Sequence, residues 1–399
     1  MRRKNNRLLI VASLSLISVL LASVFGCTPE QEISPTSTIS MPELIKISGY
    51  DVGSNSYVAL NSLGEASATK FGMKMRQYPA SNAMARISAI RTGMADISLV
   101  TADVIFASEG VLDFAEESWG PQPLRVLWQG IQVAPFHLAT RGDTGIKTFA
   151  DLKGKKLPNF VGSVSTNLIT EACLAWGELT WADVETVDVY SFGSMYEALG
   201  DGTIDACPIG ATAPVAQQLE ADPSKGLYYM PTPPDDVEGW NRLEAVHPAL
   251  VPYLASVGAG VSEENPVWVT MTPWIIFTYA DLPANEAYWV TKVCSECYDE
   301  YSAMAATLEG WTLEETLELP LVFAPWHDGS VDYFEEIGVW TDQHGRNQQA
   351  LLERREAILG LWEDVREDAA EEGIPSSKFT EYWLEKRAAR FPKWFEPVS

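Results

Sequence analysis

The sequence predicts an α/β protein built from two similar lobes. From Leu44 to about Tyr229, short β-rich runs alternate with helical segments, which is typical of βαβ units and parallel sheets. The pattern Gly-x-x-Asp stands between a predicted helix and a predicted strand at Gly93 and again at Gly202. After each of these strands, a small polar segment begins a helix. The repetition indicates two lobes whose strands point their carboxyl ends at one cleft, where α/β sheets bind ligands.

Hydrophobic periodicity defines the elements of the first half. Apolar and polar residues alternate over Leu44–Ser48 as they do in a strand, and two helical stretches follow at Tyr57–Lys70 and Ala83–Arg91. The other strands expected there are Met73–Tyr78, Ala95–Val100, Leu124–Trp128 and Val133–Thr140.

The second half repeats this plan after a short helix that ends at Asp151. β-branched and aromatic residues predict its strands, and helical spacing predicts its helices. The strands are expected at Lys156–Val161, Val184–Tyr190 and Ile204–Ile209, and the helices at Ser165–Gly177, Ser194–Leu199 and Ala211–Glu220.

Beyond Val261 the chain is expected to return to the first lobe. One strand is predicted over Pro266–Tyr279 and one long helix over Asn285–Leu308. A loop and a short helix are expected within Phe323–Ile337. Two charged amphipathic helices, Gln348–Glu372 and Lys378–Arg390, are expected to pack outside the lobes.

Composition and motifs exclude several classes of function. The 54 acidic and 28 basic residues give a net charge of −26, which argues against a nucleic-acid binder. The 46% hydrophobic content excludes a disordered chain. The four histidines show no H-x-x-H or H-E-x-x-H spacing, and no serine lies in G-x-S-x-G. We therefore expect no catalytic residue, no metal site and no cofactor.

The N-terminus reads as an export signal followed by a tether. Basic residues precede an apolar run from Leu8 to Phe25, and the run ends in a sequence that resembles a bacterial lipobox with Cys27 as the lipidated residue. Residues 1–26 are expected to be the lipoprotein signal peptide, and residues 27–43, rich in Pro, Ser and Thr, the tether. A plain signal peptide and an uncleaved anchor are the alternatives.

The other cysteines point to packing more than to chemistry. Cys294 and Cys297 lie three residues apart in a predicted helix without a second Cys or His pair nearby, so packing is the favoured interpretation. Cys173 and Cys207 would suit a disulfide in an oxidising compartment, which the sequence alone leaves open.

Five segments resemble the substrate-binding proteins of the TAXI type, the receptor components of tripartite ATP-independent periplasmic (TRAP) transporters. The phrase over Thr144–Lys155 is widespread among binding-protein lobes, so it supports the superfamily more than the TAXI type. The likeness covers residues from about 44 to 340. Its segments are Ile45–Tyr50 with the loop to Tyr57, Arg91–Val100 ending at Asp103, Thr144–Lys155, Phe160–Thr166, and Gly202–Ala206 continuing through Gly210–Val215.

The resemblance implies a two-lobe, type II binding-protein fold with a cleft between the lobes. Lobe 1 would comprise residues 44–138 and 267–340, lobe 2 residues 139–266, and residues 341–399 a C-terminal helical extension. The function implied is that of an extracytoplasmic, lipid-anchored receptor. It would capture a small organic anion, a carboxylate or an amino-acid-like molecule, and deliver it to TRAP membrane subunits.

The predicted ligand site lies at two helix N-termini, one in the loop Gly49–Tyr57 and one at Gly162–Thr166. Free N–H groups and the helix dipole favour an anion at such positions. Each of their hydroxyl side chains either binds the ligand or simply caps its helix. Arg86 stands where the family commonly has Asn, and it would either hold a carboxylate or pair with a surface acid. Phe136 and His137 would line the cleft or pack the hinge. The predicted ligand-binding residues are Ser54, Asn55, Ser56, Tyr57, Arg86, Thr101, Phe136, Gly162, Ser163, Ser165, Thr166, Gly210 and Thr212.

Aromatic residues are expected to add walls to this site. Tyr57, Trp240, Trp268 and Trp274 are the candidates, although most of the 14 tryptophans are expected in the core. Two rival functions remain open: a binding protein that serves a sensor kinase, and an enzyme built on the same fold.

Overall fold

The computed structural model describes residues 39–52, 54–318 and 323–392, and all elements named below lie within them. The predicted signal peptide, Cys27 and most of the tether fall outside these residues. The strands are β1 (Leu44–Gly49), β2 (Lys74–Pro79), β3 (Ile97–Val100), β4 (Leu124–Gly130), β5 (Phe136–Arg141), β6 (Lys156–Phe160), β7 (Glu185–Val189), β8 (Ala206–Gly210), β9 (Leu227–Tyr229), β10 (Val251–Ala255), β11 (Val267–Met271) and β12 (Trp274–Tyr279).

The helices alternate with these strands over the first half of the chain and follow them at its end. Short 3-10 turns occur at Leu112–Ala115, Gly142–Thr144, Phe149–Leu152, Trp181–Asp183 and Ala306–Leu308. The α-helices are α1 (Asn55–Phe71), α2 (Ala83–Arg91), α3 (Asp103–Glu109), α4 (Val164–Trp176), α5 (Phe192–Asp201), α6 (Pro214–Ala221), α7 (Val237–Val246), α8 (Ala284–Glu296), α9 (Tyr298–Met304), α10 (Leu313–Thr316), α11 (Asp328–Glu336), α12 (Asp342–Glu372) and α13 (Ser376–Arg390).

Lobe 1 is organised by a five-stranded sheet in the order β2-β1-β3-β12-β4. β1 pairs in parallel with β2 and β3, whereas β12 runs antiparallel to both β3 and β4. All four residues of β3 are buried, as expected for a central strand covered on both faces. The late strand β12 therefore completes a sheet whose other strands come from the first third of the chain.

Lobe 2 repeats this arrangement with its own strands. β5 lies between β8 and β9 and runs antiparallel to both, and β6 pairs in parallel with β7. Reciprocal bonds between Lys156 and Asp205 place the start of β6 beside the start of β8. The sequence β7-β6-β8-β5-β9 thus matches the strand order of lobe 1, and the predicted α/β class with two similar lobes is confirmed.

An aspartate in each lobe explains the repeated Gly-x-x-Asp pattern. The backbone N–H of Lys46 donates to the carboxylate of Asp96 at 2.7 Å, and the N–H of Asp96 donates back to the carbonyl of Lys46 at 2.8 Å. Lys156 and Asp205 form the same pair of bonds, both at 2.8 Å. Each aspartate therefore satisfies a backbone donor at the start of a neighbouring strand and fixes the register of the two strands.

Two predicted elements turn out to be divided. The single strand expected over Pro266–Tyr279 is two strands, β11 and β12, which belong to different sheets. Pro273 lies between them and has no N–H to continue a ladder. The single helix expected over Asn285–Leu308 is also wrong, because α8 ends at Glu296 and α9 and a 3-10 turn follow.

The two predicted C-terminal helices are present as α12 and α13. Thr341 and His344 form a capping box at the start of α12, and Gly373, in the left-handed region at φ 68°, ends it. Residues of both helices pack with Ala115 of lobe 1 in one apolar cluster, in which Trp383 is fully buried. Among the described helices, none combines the length and the apolar character needed to cross a membrane.

The four cysteines of the described chain are buried and free. Burial raises the pKa of the thiols of Cys173, Cys207, Cys294 and Cys297, which keeps them protonated and unreactive. The structure therefore pairs neither Cys173 with Cys207 nor Cys294 with Cys297.

Candidate ligand-binding cleft

A cavity of about 460 Å³, counted with the open space at its mouth, lies where the two lobes meet. Strands β1 and β3 of lobe 1 and β7 of lobe 2 point their carboxyl ends at it, as expected for a ligand site of α/β sheets, whereas the antiparallel strands β5 and β12 begin there. Its walls are Tyr50, Ser54, Asn55, Ser56, Thr101, Gln132, Phe136, Ser165, Thr166, Ile169, Phe192, Tyr196 and Trp274.

The N-terminus of α1 brings three polar residues to the cavity. Ser54 is the N-cap: its Oγ accepts from the N–H of Tyr57 at 3.2 Å and donates to the carbonyl of Asp51 at 2.8 Å. Ser56 Oγ lies 3.2 Å from Ser54 Oγ. Capping therefore accounts for Ser54, while Asn55 and Ser56 stand in the first turn, where backbone N–H groups have no partner within the helix.

The N-terminus of α4 reaches the same cavity from lobe 2. Ser163 and Thr166 share a hydrogen bond between their hydroxyl oxygens at 2.9 Å. Ser165 Oγ crosses between the lobes and donates to Asp103 Oδ2 at 2.8 Å. Two helix N-termini, one from each lobe, thus border one cavity, which is an arrangement that favours negative charge.

Aromatic rings form the apolar part of the wall. Phe192, the first residue of α5, lies at the centre: its ring centroid is 5.6 Å from Tyr50, 5.9 Å from Phe136 and 5.9 Å from Tyr196. Trp274 completes this wall from the start of β12. Because Tyr50 belongs to lobe 1 and Phe192 to lobe 2, their contact also holds the lobes together.

Arg86 lies behind this wall and outside the residues that line the cavity. It is 1% exposed, and its guanidinium carbon lies 3.4 Å from the centroid of the Tyr50 ring. Its Nε and Nη1 atoms have no hydrogen-bond partner. The buried charge therefore faces the cavity through the ring of Tyr50, as a cation–π pair.

Carboxyl groups balance the charge of Arg86. Burial raises the pKa of Asp103, while Arg86 and the hydroxyl of Ser165 lower it. Burial likewise raises the pKa of Asp51, against Arg86 and a hydrogen bond from the backbone of Phe192. Burial raises the pKa of Tyr50 to about 12, so its phenol is neutral near pH 7. The cavity therefore presents neutral hydroxyl and amide groups at its surface.

His137 packs the junction of the lobes and does not line the cavity. Its Nε2 lies 2.8 Å from the carbonyl of Met230, and its Nδ1 lies 2.8 Å from Thr270 Oγ1 on β11. The carbonyl requires a donor, so the proton is on Nε2 and Nδ1 accepts. Burial lowers the pKa of His137 to about 4, which keeps the ring neutral.

The structure brings only part of the predicted set to the cavity. Tyr57, Arg86, Gly162, Ser163, Gly210 and Thr212 do not line it, and Trp240 lies in the core of lobe 2. Gly162 and Gly210 instead meet lobe 1, because a Cβ on them would stand 2.7 Å from Asn82 Nδ2 and 2.6 Å from Asn55 Nδ2. The predicted residues that line the cavity are Ser54, Asn55, Ser56, Thr101, Phe136, Ser165, Thr166 and, among the aromatic candidates, Trp274.

Sequence reasoning missed five wall residues: Tyr50, Gln132, Ile169, Phe192 and Tyr196. Phe192 follows the carboxyl end of β7, where α/β sheets bind ligands, so its place in the wall could have been predicted. Gln132 lies in the connection between β4 and β5, which has no motif. Within the described residues, no group of three His, Cys, Asp or Glu side chains is placed to hold a metal ion.

A family model for the NMT1-like family matches residues 52–338 of this sequence. The chain belongs to the NMT1-like family. The matched region ends before α12, so both C-terminal helices lie outside the part that this NMT1-like sequence shares with its family.

Solved structures of binding proteins resemble the chain over much of its length. The alkanesulfonate-binding protein SsuA from Xanthomonas axonopodis pv. citri is 14% identical, with 90% of this chain and 88% of that chain covered and a TM-score of 0.43. A TctC solute binding protein from Polaromonas is 14% identical, with 67% and 87% covered and a TM-score of 0.40. Such distant likenesses imply nothing about the ligand of the NMT1-like chain.

Proposed function

We propose that this chain is an extracytoplasmic solute-binding protein of the TAXI type that captures a small organic anion in the cleft. The observation that supports it best is the convergence of two helix N-termini, those of α1 and α4, on one cavity. Their free N–H groups and aligned dipoles would hold a carboxylate. The aromatic wall would cover the rest of the molecule.

The ligand would be a monocarboxylate or an amino-acid-like molecule. Asp103 and Asp51 already lie near Arg86, the buried cation behind the cleft wall, so a second negative charge on the ligand would lack a partner. Arg86 would attract the carboxylate electrostatically from behind the Tyr50 ring, without touching it.

Binding and not catalysis is the proposed role. The described residues that line the cavity include serines but no His, Lys, Asp or Glu that could act as the general base for one of them. The ligand would be released unchanged.

Capture would involve closure of the lobes, followed by delivery to TRAP membrane subunits driven by an ion gradient. In the proposed arrangement, lobe 1 comprises residues 44–138 and 267–340 and lobe 2 residues 139–266. Cys27 would anchor the mature chain by lipid, with residues 27–43 as the tether. Uptake of the captured solute by vesicles that carry the TRAP subunits would test delivery, and a Cys27→Ala chain that stays on the membrane would contradict the anchor.

The cleft is tested by a panel of carboxylates and amino acids in a thermal-shift assay, with Kd then measured by calorimetry. Ser56→Ala should raise Kd by about threefold to tenfold, the loss expected for one hydrogen bond of about 1 kcal/mol. Ser62→Ala is the matched control, since Ser62 is also buried on α1 but does not line the cavity. Equal Kd values for the two variants would contradict the proposed site.

A further inference from the structure

A second cavity lies on the other side of lobe 1, between α12 and the edge strand β4. It measures about 930 Å³ with the open space at its mouth. Its apolar walls include Leu352 and Leu359 of α12, and its cationic walls are Arg125 and Arg355. The cavity lies outside the cleft, and α12 lies outside the region that matches the family model.

Among the described residues beside this cavity, two arginines, Arg355 and Arg387, and one acid, Glu109, are buried. Glu109 is the buried acid there, and both of its oxygens are already bound. Arg354 donates to them at 2.8 and 3.0 Å, and Arg387 donates to Oε2 at 2.6 Å. Burial alone would raise the pKa of Glu109, but these partners and Arg355 lower it, so the carboxylate is ionised.

Arg355 has no share in these bonds. It is 3% exposed, and its Nε and Nη1 atoms have no hydrogen-bond partner. Burial and the nearby guanidinium groups lower its pKa to about 10, which leaves it charged near neutral pH. Glu109 attracts Arg355 electrostatically, but its oxygens are bound by Arg354 and Arg387. A buried charge that lacks hydrogen bonds is costly, so the site favours an added anion over an empty cavity.

The walls define which anion fits. Two leucines on one helix face offer an apolar surface that inorganic phosphate or sulfate would leave uncovered. Glu356 and Glu363 stand exposed where the cavity meets solvent and would repel a second negative charge. The combination selects a monoanion with an apolar body.

We propose that this cavity is a second ligand site, and that it binds an amphipathic monocarboxylate of the fatty-acid type. The carboxylate pairs with Arg355 and Arg125, and the hydrocarbon chain lies along Leu352 and Leu359. The residues of this site, from β4 and α12, are separate from those that line the cleft.

Octanoate is the probe. Two control ligands each keep one of its features: acetate keeps the carboxylate, and octan-1-ol keeps the hydrocarbon chain. Calorimetry on the full chain should show octanoate binding, at least tenfold weaker binding of acetate, and no binding of octanol. Octanol binding as tightly as octanoate would overturn the role of the arginines. Acetate binding as tightly would overturn the role of the apolar wall.

Two variants locate the site. Arg355→Met removes the cation, and Gly360→Leu fills the cavity from α12, where a Cβ on Gly360 meets no atom within 4 Å. Each should weaken octanoate binding at least tenfold, whereas Arg346→Met, at an exposed position of the same helix, should leave Kd unchanged. Because Gly360→Leu adds a side chain in open space, it tests the site even if Arg355→Met does not fold.

The cleft variant Ser56→Ala shows whether octanoate binds in this second cavity or in the cleft. It should leave octanoate binding unchanged, and a loss of octanoate affinity in Ser56→Ala would assign the anion to the cleft and overturn the second site. No octanoate binding to the unmodified chain, or equal binding to Gly360→Leu, would also overturn it.

Discussion

Lobe 1 and lobe 2 carry the same strand order, but different parts of the chain complete their cores. The described core of lobe 2 is drawn from Leu138, the last residue before the predicted lobe boundary, to Leu250. Its Trp176 and Trp240 rings pack edge to face at 5.6 Å. Lobe 1 instead receives β12 from beyond lobe 2 and is covered at its back by α12 and α13. The comparison indicates that lobe 2 is self-contained, whereas lobe 1 depends on the end of the chain.

Removal of Trp383 should give the largest effect. Its side chain is fully buried and its indole N–H donates to the carbonyl of Gly110 at 2.5 Å, so Trp383→Ala should lower the free energy of unfolding by about 3–5 kcal/mol. Urea unfolding measures the loss. Leu384→Ala, at the neighbouring and 37% exposed residue, is the control.

Hydrogen exchange on Trp383→Ala then compares the local stability of the two lobes. Protection should fall in the strands of lobe 1 and stay near its original value in β5 and β8 of lobe 2. A uniform loss of protection over both sheets would show that the lobes are not independent.

His137 offers a test of the junction itself. Its ordinary pKa is 6.5 and burial lowers it to about 4, so the unfolded chain binds this proton at a higher pH than the native chain. The stabilising contribution is complete above pH 6.5 and should be lost as the pH falls towards 4, by an amount on the order of 3 kcal/mol.

The measurement compares unfolding free energies of the native sequence and His137→Gln between pH 7 and pH 4. The amide keeps a donor for Met230 and an acceptor for Thr270 but does not titrate, so the variant should lose less stability over this range. Identical pH profiles would show that His137 titrates alike in both states.

A smaller effect than these is expected for a substitution at the contact between the lobes. A Cβ at position 210 would stand 2.6 Å from Asn55 Nδ2, so Gly210→Ala should hinder closure and raise the Kd of the cleft ligand about tenfold, or about 1.4 kcal/mol. Gly193→Ala is the control, because its nearest atom is 3.8 Å away. A Kd unchanged by Gly210→Ala would mean that binding does not need this contact.

The sequence predicted the repeated α/β plan because each local pattern agreed with it. The Gly-x-x-Asp pattern marked equivalent strands in both lobes, although its role in bonding Lys46 and Lys156 required the sheet order. The division of Pro266–Tyr279 was missed because a continuous apolar run hides a change of sheet, and only Pro273 signalled it.

The site was harder to predict than the fold. Serines at helix starts were found because capping and anion binding use the same residues, yet the sequence does not tell one role from the other. Tyr50 and Phe192 follow the carboxyl ends of β1 and β7, but their contact with each other joins the two lobes, and no local pattern encodes it. Arg86 was correctly placed on α2, but its cover by Tyr50 follows only from packing.

The aspartate pairs also bear on the order in which the chain folds. Lys46 to Asp96 spans 50 residues and Lys156 to Asp205 spans 49, so both lobes close loops of nearly equal length at nearly equal entropic cost. Lobe 1, however, must also wait for Thr278 of β12 to reach the carbonyl of Asp96, across 182 residues. During synthesis, lobe 2 can therefore complete its sheet first, and the first third of the chain must remain open until the returning strand arrives.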